Sequence, residues 1–484
     1  MNVTLVIKDE VNVKIEGLDL TDRKTLVNRY KFDVPGARYL PAVRLGRWDG
    51  KVSFFQLGGS TYINLLPEIL PWIVEQGYDI DIDDQRDYST QFELDEVVEH
   101  SFANTLWPAN HPRAGDPIML RDYQVEIINR FLENPQCLQE VATGAGKTLM
   151  TAALSRSVEH HGRSIVIVPN KSLVTQTEKD YQNLGLDVGV FYGNRKEYNK
   201  THTICTWQSL NVMLKNTKNG VASIPIQDFL DGVVAVIVDE VHMAKADALK
   251  TLLTGVMSRI PIRWGLTGTI PKEQFEFMAL KCSLGNVAGQ LTAAELQAQG
   301  VLANCHVNIV QMIDHAVHTN YQSELKYLLE TDGRLDYIAK IVESMRATGS
   351  TLILVDRVVA GKALAERIKD AVFVSGAVKE DKRQDEYDDV ATATGKVIVA
   401  TYGVAAVGIN IPRIFNMVLI EPGKSFVRVI QSIGRGVRKA EDKDFVQIWD
   451  ITSTCKFSKR HLTARKQFYK DAHYPFAQEK AAWQ

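Results

Sequence analysis

Apolar residues alternate with polar ones near the N-terminus, and the spacing then changes to that of a helix. Val3, Leu5 and Ile7 occupy every second position, and the same period returns over residues 11–15. This alternation predicts two β-strands, each with one buried face. Residues 20–32 then have helical spacing. We predict a small α+β domain over residues 1–100.

A change of composition separates this region from the rest of the chain. Residues 79–99 are markedly acidic, and residues 107–117 are rich in Pro, Gly, Asn and His. Such segments are typical of connections between domains, because they supply few apolar side chains for a core. We therefore predict a linker over residues 101–116.

Short, nearly continuous apolar runs separated by helical stretches dominate the remaining chain. The first series lies at residues 164–168, 203–206, 233–238 and 263–266, and the second at residues 351–355, 372–374, 396–400, 417–420 and 446–449. Strands that crossover helices bury on both faces have this pattern. We predict two tandem α/β domains with parallel sheets, at residues 117–290 and 291–454, separated by a mostly helical interval. A basic helical tail is predicted over residues 455–484.

The composition limits the classes of protein to which the chain can belong. With 484 residues, 45% hydrophobic and 24% charged, it is typical of a folded globular protein. No apolar run approaches the roughly 20 residues of a membrane span, so we expect a cytoplasmic protein without a membrane partner. The five cysteines are far apart, which favours core thiols over a metal site. The net charge of −2 means that any nucleic-acid binding depends on local basic patches.

The most informative motif follows a predicted strand at residues 137–141 and precedes a helix. Its glycines allow backbone N–H groups to surround phosphates, and the helix dipole favours the same anions. Lys147 is expected to reach the β- and γ-phosphates, and the Thr148 hydroxyl to bind Mg²⁺. A simple glycine-rich turn is disfavoured because the lysine and threonine are in register. The predicted ATP-binding residues here are Thr143, Gly144, Ala145, Gly146, Lys147 and Thr148.

Two carboxylates follow the predicted strand at residues 233–238. Asp239 and Glu240 lie where the carboxyl edge of a parallel sheet faces its ligand crevice. Asp239 is placed to hold Mg²⁺, and Glu240 to polarise the water that attacks the γ-phosphate. Together with the glycine-rich loop, they predict a site that hydrolyses ATP.

These motifs resemble those of the superfamily 2 helicases. Residues 142–148 and 239–242 are similar to the two nucleotide motifs, and residues 120–124 to the element whose glutamine contacts adenine. The resemblance implies two RecA-like motor domains, with Arg121 and Gln124 at the nucleotide. It also implies a set of residues that couple hydrolysis to movement, namely His242, Thr267, Gly268 and Thr269.

The second motor domain carries two further motifs of the same family. Residues 401–410 resemble one of them and imply a nucleotide contact from Gly408, although Asn410 stands where aspartate is common. Residues 431–438 resemble the other, in which Gln431, Arg435 and Arg438 are implied to act in catalysis. Arginines three residues apart on a helix share one face, so one or both of Arg435 and Arg438 are expected to serve as arginine fingers.

The resemblance also implies contacts with a nucleic-acid strand, chiefly to its backbone. The candidates are Pro169, Asn170, Lys171, Thr206, Trp207, Gln208, Arg357, Thr401 and Tyr402, together with Arg47 and Trp48 of the N-terminal domain. Trp48 can instead pack in the small core beside a turn at Asp49 and Gly50, and the two roles are compatible. Arg195, Lys196 and the basic residues of the tail, Arg465 among them, are phosphate contacts or solvated charges.

Within the superfamily, the chain most resembles the branched-DNA helicases of T-even phages. The resemblance lies in residues 46–51, 193–194, 206–208 and 400–404. It implies a monomeric, ATP-dependent motor that acts on forks, four-way junctions, D-loops or R-loops in phage recombination, repair and replication. An RNA helicase, a duplex translocase that does not separate strands, and a P-loop switch protein remain alternatives.

Overall fold

The computed structural model describes residues 2–86, 92–109, 113–241, 246–375, 395–404, 411, 413–425, 429, 432–434, 436–440 and 442–483. The chain forms two compact units, Met1–Val141 with Gly146–Gln290, and Ala142–Ala145 with Leu291–Gln484. Within the described ranges, no helix is both long enough and apolar enough to cross a bilayer.

The N-terminal region combines a four-stranded sheet with a separate two-stranded one. Its strands are β1 (Asn2–Ile7), β2 (Asn12–Glu16), β3 (Lys31–Asp33), β4 (Lys51–Ser53), β5 (Ser60–Tyr62) and β6 (Asp79–Asp84), and its helices are α1 (Leu20–Arg29), α2 (Pro41–Arg44) and α3 (Leu66–Glu75). The larger sheet has the order β5-β2-β1-β6, and β3 pairs with β4. Val3, Leu5 and Ile7 are buried, as their alternation predicts.

Two details of this region differ from the sequence prediction. Helix α1 ends at Arg29, because Lys31–Asp33 pairs as a strand with β4. The acidic residues Asp79–Asp84, within the predicted domain, form strand β6, which pairs in parallel with β1 and was not predicted. An edge strand accommodates such residues because most of its side chains stay in solvent.

The first parallel sheet has eight strands and follows the N-terminal region. The strands are β7 (Gln136–Val141), β8 (Arg163–Val168), β9 (Val188–Tyr192), β10 (Arg195–Lys196), β11 (His202–Thr206), β12 (Val233–Asp239), β13 (Ile262–Thr267) and β14 (Asn286–Leu291); the helices are α4 (Asp122–Glu133), α5 (Lys147–Val158), α6 (Lys171–Asn183), α7 (Trp207–Lys218), α8 (Ile226–Leu230), α9 (Ala246–Thr254) and α10 (Gln274–Leu284). Their order is β10-β9-β11-β8-β12-β13-β7-β14. The six strands from β9 to β7 in this order pair in parallel.

Helix α10 joins the N-terminal region to this sheet. Phe275 and Cys282 on α10 are buried in the same hydrophobic core as Phe54 of the N-terminal region. The rings of Phe54 and Phe275 lie 5.8 Å apart. Lys281 on the same helix forms an ion pair with Glu68 of α3. The N-terminal region and the first parallel sheet therefore share a core.

The second parallel sheet has seven strands, all paired in parallel. The strands are β15 (Asn304–Met312), β16 (Thr351–Val355), β17 (Val372–Val374), β18 (Val397–Thr401), β19 (Asn416–Ile420), β20 (Phe445–Ser453) and β21 (Phe476–Ala481), and the helices are α11 (Ala293–Ala298), α12 (Tyr321–Glu330), α13 (Asp332–Met345), α14 (Val358–Arg367) and α15 (Lys456–Asp471). Their order is β17-β18-β16-β19-β20-β15-β21. The prediction of two tandem parallel sheets is confirmed.

The C-terminal segment is part of the second sheet rather than a helical tail alone. Strand β21 pairs with β15, a strand that falls in the interval predicted to be mostly helical. On α15, Arg465 is fully buried and its guanidinium donates two hydrogen bonds to Asp450 of β20, at 2.8 and 2.9 Å. Arg465 is therefore neither a solvated charge nor a phosphate contact, because its charge is neutralised inside the domain.

Candidate nucleotide and nucleic-acid sites

The glycine-rich loop lies between β7 and α5, in the strand-loop-helix setting predicted for it. Gly144 and Gly146 have φ values of 92° and 84°, a region that other residues rarely adopt. At Gly146 a Cβ would also lie 2.6 Å from Gln124 Nε2. The backbone conformation favours glycine at both positions, and a larger residue at position 146 would also have to displace the end of the Gln124 side chain.

Lys147 begins α5 and is 9% exposed. Its Nζ lies 2.9 Å from Glu240 Oε1 and donates to the Val141 carbonyl at 3.3 Å. Glu240 Oε2 in turn accepts a hydrogen bond from the Gly268 N–H at 3.4 Å. The structure therefore brings together the predicted phosphate-binding lysine, the predicted base and the predicted coupling turn.

The backbone at Glu240 has an unusual conformation. Its φ is 50°, in the left-handed region that non-glycine residues seldom occupy. Such strain persists only where the surrounding structure holds it, and it is concentrated at functional sites. Here the conformation directs the carboxylate toward Lys147 rather than along the strand.

Asp239 is the last residue of β12 and is 8% exposed. Its Oδ1 accepts the Glu240 N–H at 2.9 Å. Burial and the nearby charge of Glu240 raise the pKa of Asp239 to about 7, while Lys147 opposes the rise. A buried carboxylate of this kind is stabilised by a hard cation, and oxygen donors suit Mg²⁺. Asp239 and Thr148, the second residue of α5, are the residues that would hold it.

The predicted coupling residues Thr267, Gly268 and Thr269 form a compact turn at the end of β13. Thr267 Oγ1 donates to the Thr269 carbonyl at 2.9 Å and accepts the Thr269 N–H at 3.2 Å. These bonds fix the Gly268 N–H, which reaches Glu240. His242, the fourth predicted coupling residue, lies outside the described residues.

The predicted adenine-binding residues lie at the start of α4. Gln124 is 5% exposed, and its Oε1 accepts the Arg121 N–H at 3.0 Å. The Arg121 guanidinium donates to the Tyr123 hydroxyl at 3.2 Å. Gln124 therefore caps its own helix, and its contact with adenine stays a prediction.

Comparisons with known proteins identify the family of the chain. Residues 117–272 match the family model of the res subunit of type III restriction enzymes, and residues 333–440 match the helicase conserved C-terminal domain. The chain is 23% identical over 490 residues to the ATP-dependent DNA helicase uvsW of Enterobacteria phage T4, covering 97% of this chain and 94% of that protein. The chain belongs to the superfamily 2 helicases. It is an ATP-hydrolysing helicase and a homologue of uvsW.

One further relative and one solved structure extend the comparison. The chain is 22% identical to the DNA 3'-5' helicase XPB of Kineococcus radiotolerans, over 75% of this chain and 65% of that one. A fragment structure of a putative HsdR subunit of a type I restriction enzyme from Vibrio vulnificus YJ016 has a TM-score of 0.57 and 17% identity, over 97% of this chain and 85% of that one. The latter similarity concerns the fold alone.

In the second motor domain of this helicase, Gly408, Gln431 and Arg435 lie outside the described residues. Arg438 is half-buried, and its backbone forms an isolated bridge with Leu302. Lys443, which sequence reasoning missed, donates to the carbonyls of Gly436 and Arg438 at 2.5 and 2.8 Å. Burial and the charge of Arg438 lower the pKa of Lys443 to about 7. The finger role of Arg438 stays a prediction.

The predicted strand-contacting segments of the first motor domain lie side by side. Asn170 and Thr206 cap α6 and α7 by accepting the N–H groups of Leu173 and Ser209. Gln208 Nε2 donates to the Pro169 carbonyl at 3.1 Å, which joins the two segments. Lys171 is exposed at the start of α6, whereas Trp207 packs against the hydrophobic core of the domain.

Several other candidate contacts of the helicase have partners within the protein. Arg357 donates to Glu330 at 3.0 Å. Tyr402 is 4% exposed and donates to the Ile420 carbonyl, so its side chain is not at the surface; Thr401, the last residue of β18, is half-buried. Arg195 pairs with both carboxylate oxygens of Glu178 at 2.7 Å, which removes most of its value as a phosphate contact.

The two N-terminal candidates have different environments. Arg47 is exposed, whereas Trp48 is half-buried and its Nε1 donates to the Lys51 carbonyl at 2.8 Å. The Lys51 N–H donates in turn to Asp49 Oδ1 at 3.0 Å. Trp48 thus stabilises the turn that the sequence predicted at Asp49 and Gly50.

Proposed function

We propose that this helicase uses Mg²⁺ and ATP to unwind or branch-migrate branched DNA, including forks, four-way junctions, D-loops and R-loops, in phage recombination, repair and replication. The observation that carries the proposal is the Lys147–Glu240–Gly268 chain of contacts beside the buried Asp239. DNA is preferred over RNA because the similarity to uvsW, a DNA helicase by name, extends over 97% of the chain and includes the N-terminal region. We place this activity in the cytoplasm of the infected bacterial cell.

The proposed roles at the nucleotide follow from the contacts of each side chain. Lys147 exchanges Glu240 for the β- and γ-phosphates when ATP binds. Glu240 is then free to accept a proton from the attacking water. Asp239 and Thr148 would hold Mg²⁺, which would supply positive charge against the phosphates. The side chains proposed to complete this site are Gln124, Gln431, Arg435 and Arg438.

The proposed coupling begins at Glu240. Its carboxylate contacts the Gly268 N–H, so a change in the partner of Glu240 alters the bonding of the turn at residues 267–269. On the strand side, the proposed contacts are the joined segments of Pro169 and Gln208, which present backbone and polar groups rather than base-reading pairs. Binding should therefore tolerate any sequence and weaken steeply with salt.

A panel of labelled substrates tests the proposal. Purified protein with ATP and Mg²⁺ is mixed with a DNA fork, a four-way junction, a D-loop, an R-loop and a forked RNA of the same sequence. ATP-dependent conversion of the branched DNAs, with little conversion of the RNA, is the expected result. Exclusive conversion of the RNA would contradict the choice of DNA. A separate substrate carries a third strand bound to duplex DNA, and its displacement without any fork opening would establish a duplex translocase instead.

A further inference from the structure

Residues 34–50 form a projection between two short strands, here called the knob. It leaves the two-stranded sheet at the end of β3 and returns at β4. Two ion pairs flank this stem: Lys31 with Asp49 at 2.6 Å, and Lys51 with Asp33 at 3.5 Å. This connection is longer than a β-hairpin loop of about 2 to 5 residues, and it contains the short helix α2.

The knob has an ordered internal structure. The Val34 N–H donates to the Gly50 carbonyl at 2.9 Å, and the Arg47 N–H to the Ala42 carbonyl at 2.8 Å. Ala37 is buried, and a Cβ at Gly50 would lie 3.3 Å from its methyl group. Close packing at the base thus fixes the short helix α2 and the turn before it, so the tip is held in place without a ligand.

The tip of the knob exposes large apolar side chains. Tyr39 and Leu45 are each 63% exposed, and Leu40 is 47% exposed. They come from a segment of only seven residues. A cluster of this kind in a fixed structure is typical of a surface that contacts another molecule.

The same tip carries positive charge that no carboxylate neutralises. Arg38 stacks on the Tyr39 ring at 4.7 Å, and Arg44 and Arg47 are exposed. Within the part of the chain that the structure describes, none of these three arginines has an acidic partner. The two acids of the stem, Asp33 and Asp49, are already paired with lysines. Unbalanced positive charge around apolar side chains indicates a nucleic acid rather than an apolar protein surface.

We propose that the knob engages the point in branched DNA where duplex meets single strand. Tyr39 and Leu45 pack on the face of the last base pair, and Arg38, Arg44 and Arg47 contact the phosphates beside it. This places part of the strand-separating surface in the N-terminal region, which shares a core with the first motor domain. The inference rests on the proposed function and adds to it the element that contacts the junction.

The first experiment measures fork opening per ATP hydrolysed. Tyr39→Ser/Leu45→Ser is compared with Leu20→Ser/Leu57→Ser, which removes two apolar side chains of the same region, each 49% exposed, outside the knob. The first variant is expected to lower the ratio at least tenfold, and the control to change it less than twofold. An unchanged ratio in the first variant overturns the inference, even if opening and hydrolysis fall together.

The second experiment measures binding, so it does not depend on unwinding. A fork carries 2-aminopurine at the junction, and its fluorescence should change when the wild-type protein binds but not when Tyr39→Ser/Leu45→Ser binds. Arg38→Gln/Arg44→Gln/Arg47→Gln should reduce the slope of log affinity against log salt by about 2 to 3, since each phosphate contact contributes roughly 0.7 to 0.9. An identical fluorescence change or an identical slope contradicts the inference.

Two controls separate the possible failures. Thermal unfolding should show the same midpoint for all variants, because the replaced side chains are exposed. If the wild-type protein sediments as a dimer and Tyr39→Ser/Leu45→Ser as a monomer, the knob is a self-association surface and the inference is wrong. Failure of the wild-type protein to open any branched DNA refutes the proposed function, whereas fork opening that is unaffected by the knob variants refutes this inference alone.

Discussion

The ion pair between Lys147 and Glu240 makes a specific prediction about ATP binding. In the structure the two side chains are 9% and 13% exposed and 2.9 Å apart. Because Lys147 must leave Glu240 to reach phosphate, this pair competes with ATP. Glu240→Gln removes the competing charge and also the repulsion between the carboxylate and the γ-phosphate. We expect the variant to bind ATP more tightly while losing hydrolysis.

The size of the effect follows from the geometry. At 2.9 Å the Coulomb energy is about 6 kcal/mol with an effective dielectric of 20, but desolvation of both groups offsets most of it. A charged hydrogen bond contributes roughly 1.5 to 3 kcal/mol net, and glutamine retains a neutral one of about 1 kcal/mol. Replacing the Lys147–Glu240 contact by a neutral one therefore weakens the competition with ATP by roughly 0.5 to 2 kcal/mol, which lowers the Kd for ATP about 2- to 30-fold. Turnover should fall at least about 100-fold, because the base is lost.

Titration with a fluorescent ATP analogue gives the affinity, and phosphate release with fork DNA gives the turnover. Glu178→Gln is the matched control, since Glu178 is 9% exposed on its side chain and pairs with Arg195 at 2.7 Å. Its ATP affinity should stay within twofold of the wild-type value. Weaker ATP binding by Glu240→Gln, or turnover above a tenth of the wild-type rate, would refute the reasoning.

Three further predictions follow from the structure. Arg438→Ala should lower ATP turnover at least about tenfold and change the KM for ATP less than threefold, because an arginine finger acts mainly in the transition state. An effect on KM alone would contradict the role of Arg438 as an arginine finger. Because the pKa of Asp239 is raised from about 4 in the unfolded chain to about 7, ionising this carboxyl lowers the free energy of unfolding as pH rises through that range. Asp239→Asn should therefore raise the midpoint of thermal unfolding without Mg²⁺, and raise it more at pH 8 than at pH 5. An equal or opposite change would contradict the raised pKa of Asp239. Phe275→Ala should lower the free energy of unfolding of the first unit by about 3 to 5 kcal/mol, because the ring is buried in the core shared with the N-terminal region. Urea titration measures this loss, and a loss below about 1 kcal/mol would show that the core is not shared in solution.

The sequence predicted β1 and β2 from their alternation, and it predicted most strands of the two parallel sheets from runs in which nearly every residue is apolar. All residues of β12 and β16 are buried, so their apolar runs can be recognised in the sequence without knowing which strands they pair with. Strand β21 could not be predicted in this way, because its residues are mostly exposed and it exists through pairing with β15. Strand β6 was not predicted as a strand, although it lies within the predicted domain, because its aspartates obscure the alternating isoleucines. Edge strands depend on their partner more than on their own composition.

The proximity of three predicted nucleotide-site residues was predictable for a related reason. Lys147, Asp239 and Glu240 belong to short motifs in which spacing along the chain determines position in space. The partners of surface charges have no such signal. The sequence could not distinguish Lys31 and Lys51, which are paired in the stem of the knob, from Arg44 and Arg47, which have no acidic partner among the described residues. Nor could it show that Arg465 is buried against Asp450.

The most direct test of the account is steady-state ATP hydrolysis by the wild-type protein and by Lys147→Ala, each with and without fork DNA. The account predicts that DNA stimulates hydrolysis by the wild-type protein, and that Lys147→Ala binds the fork with nearly the same affinity but shows no hydrolysis above background. Retained hydrolysis by Lys147→Ala, or no stimulation of the wild-type protein by any nucleic acid, would contradict it.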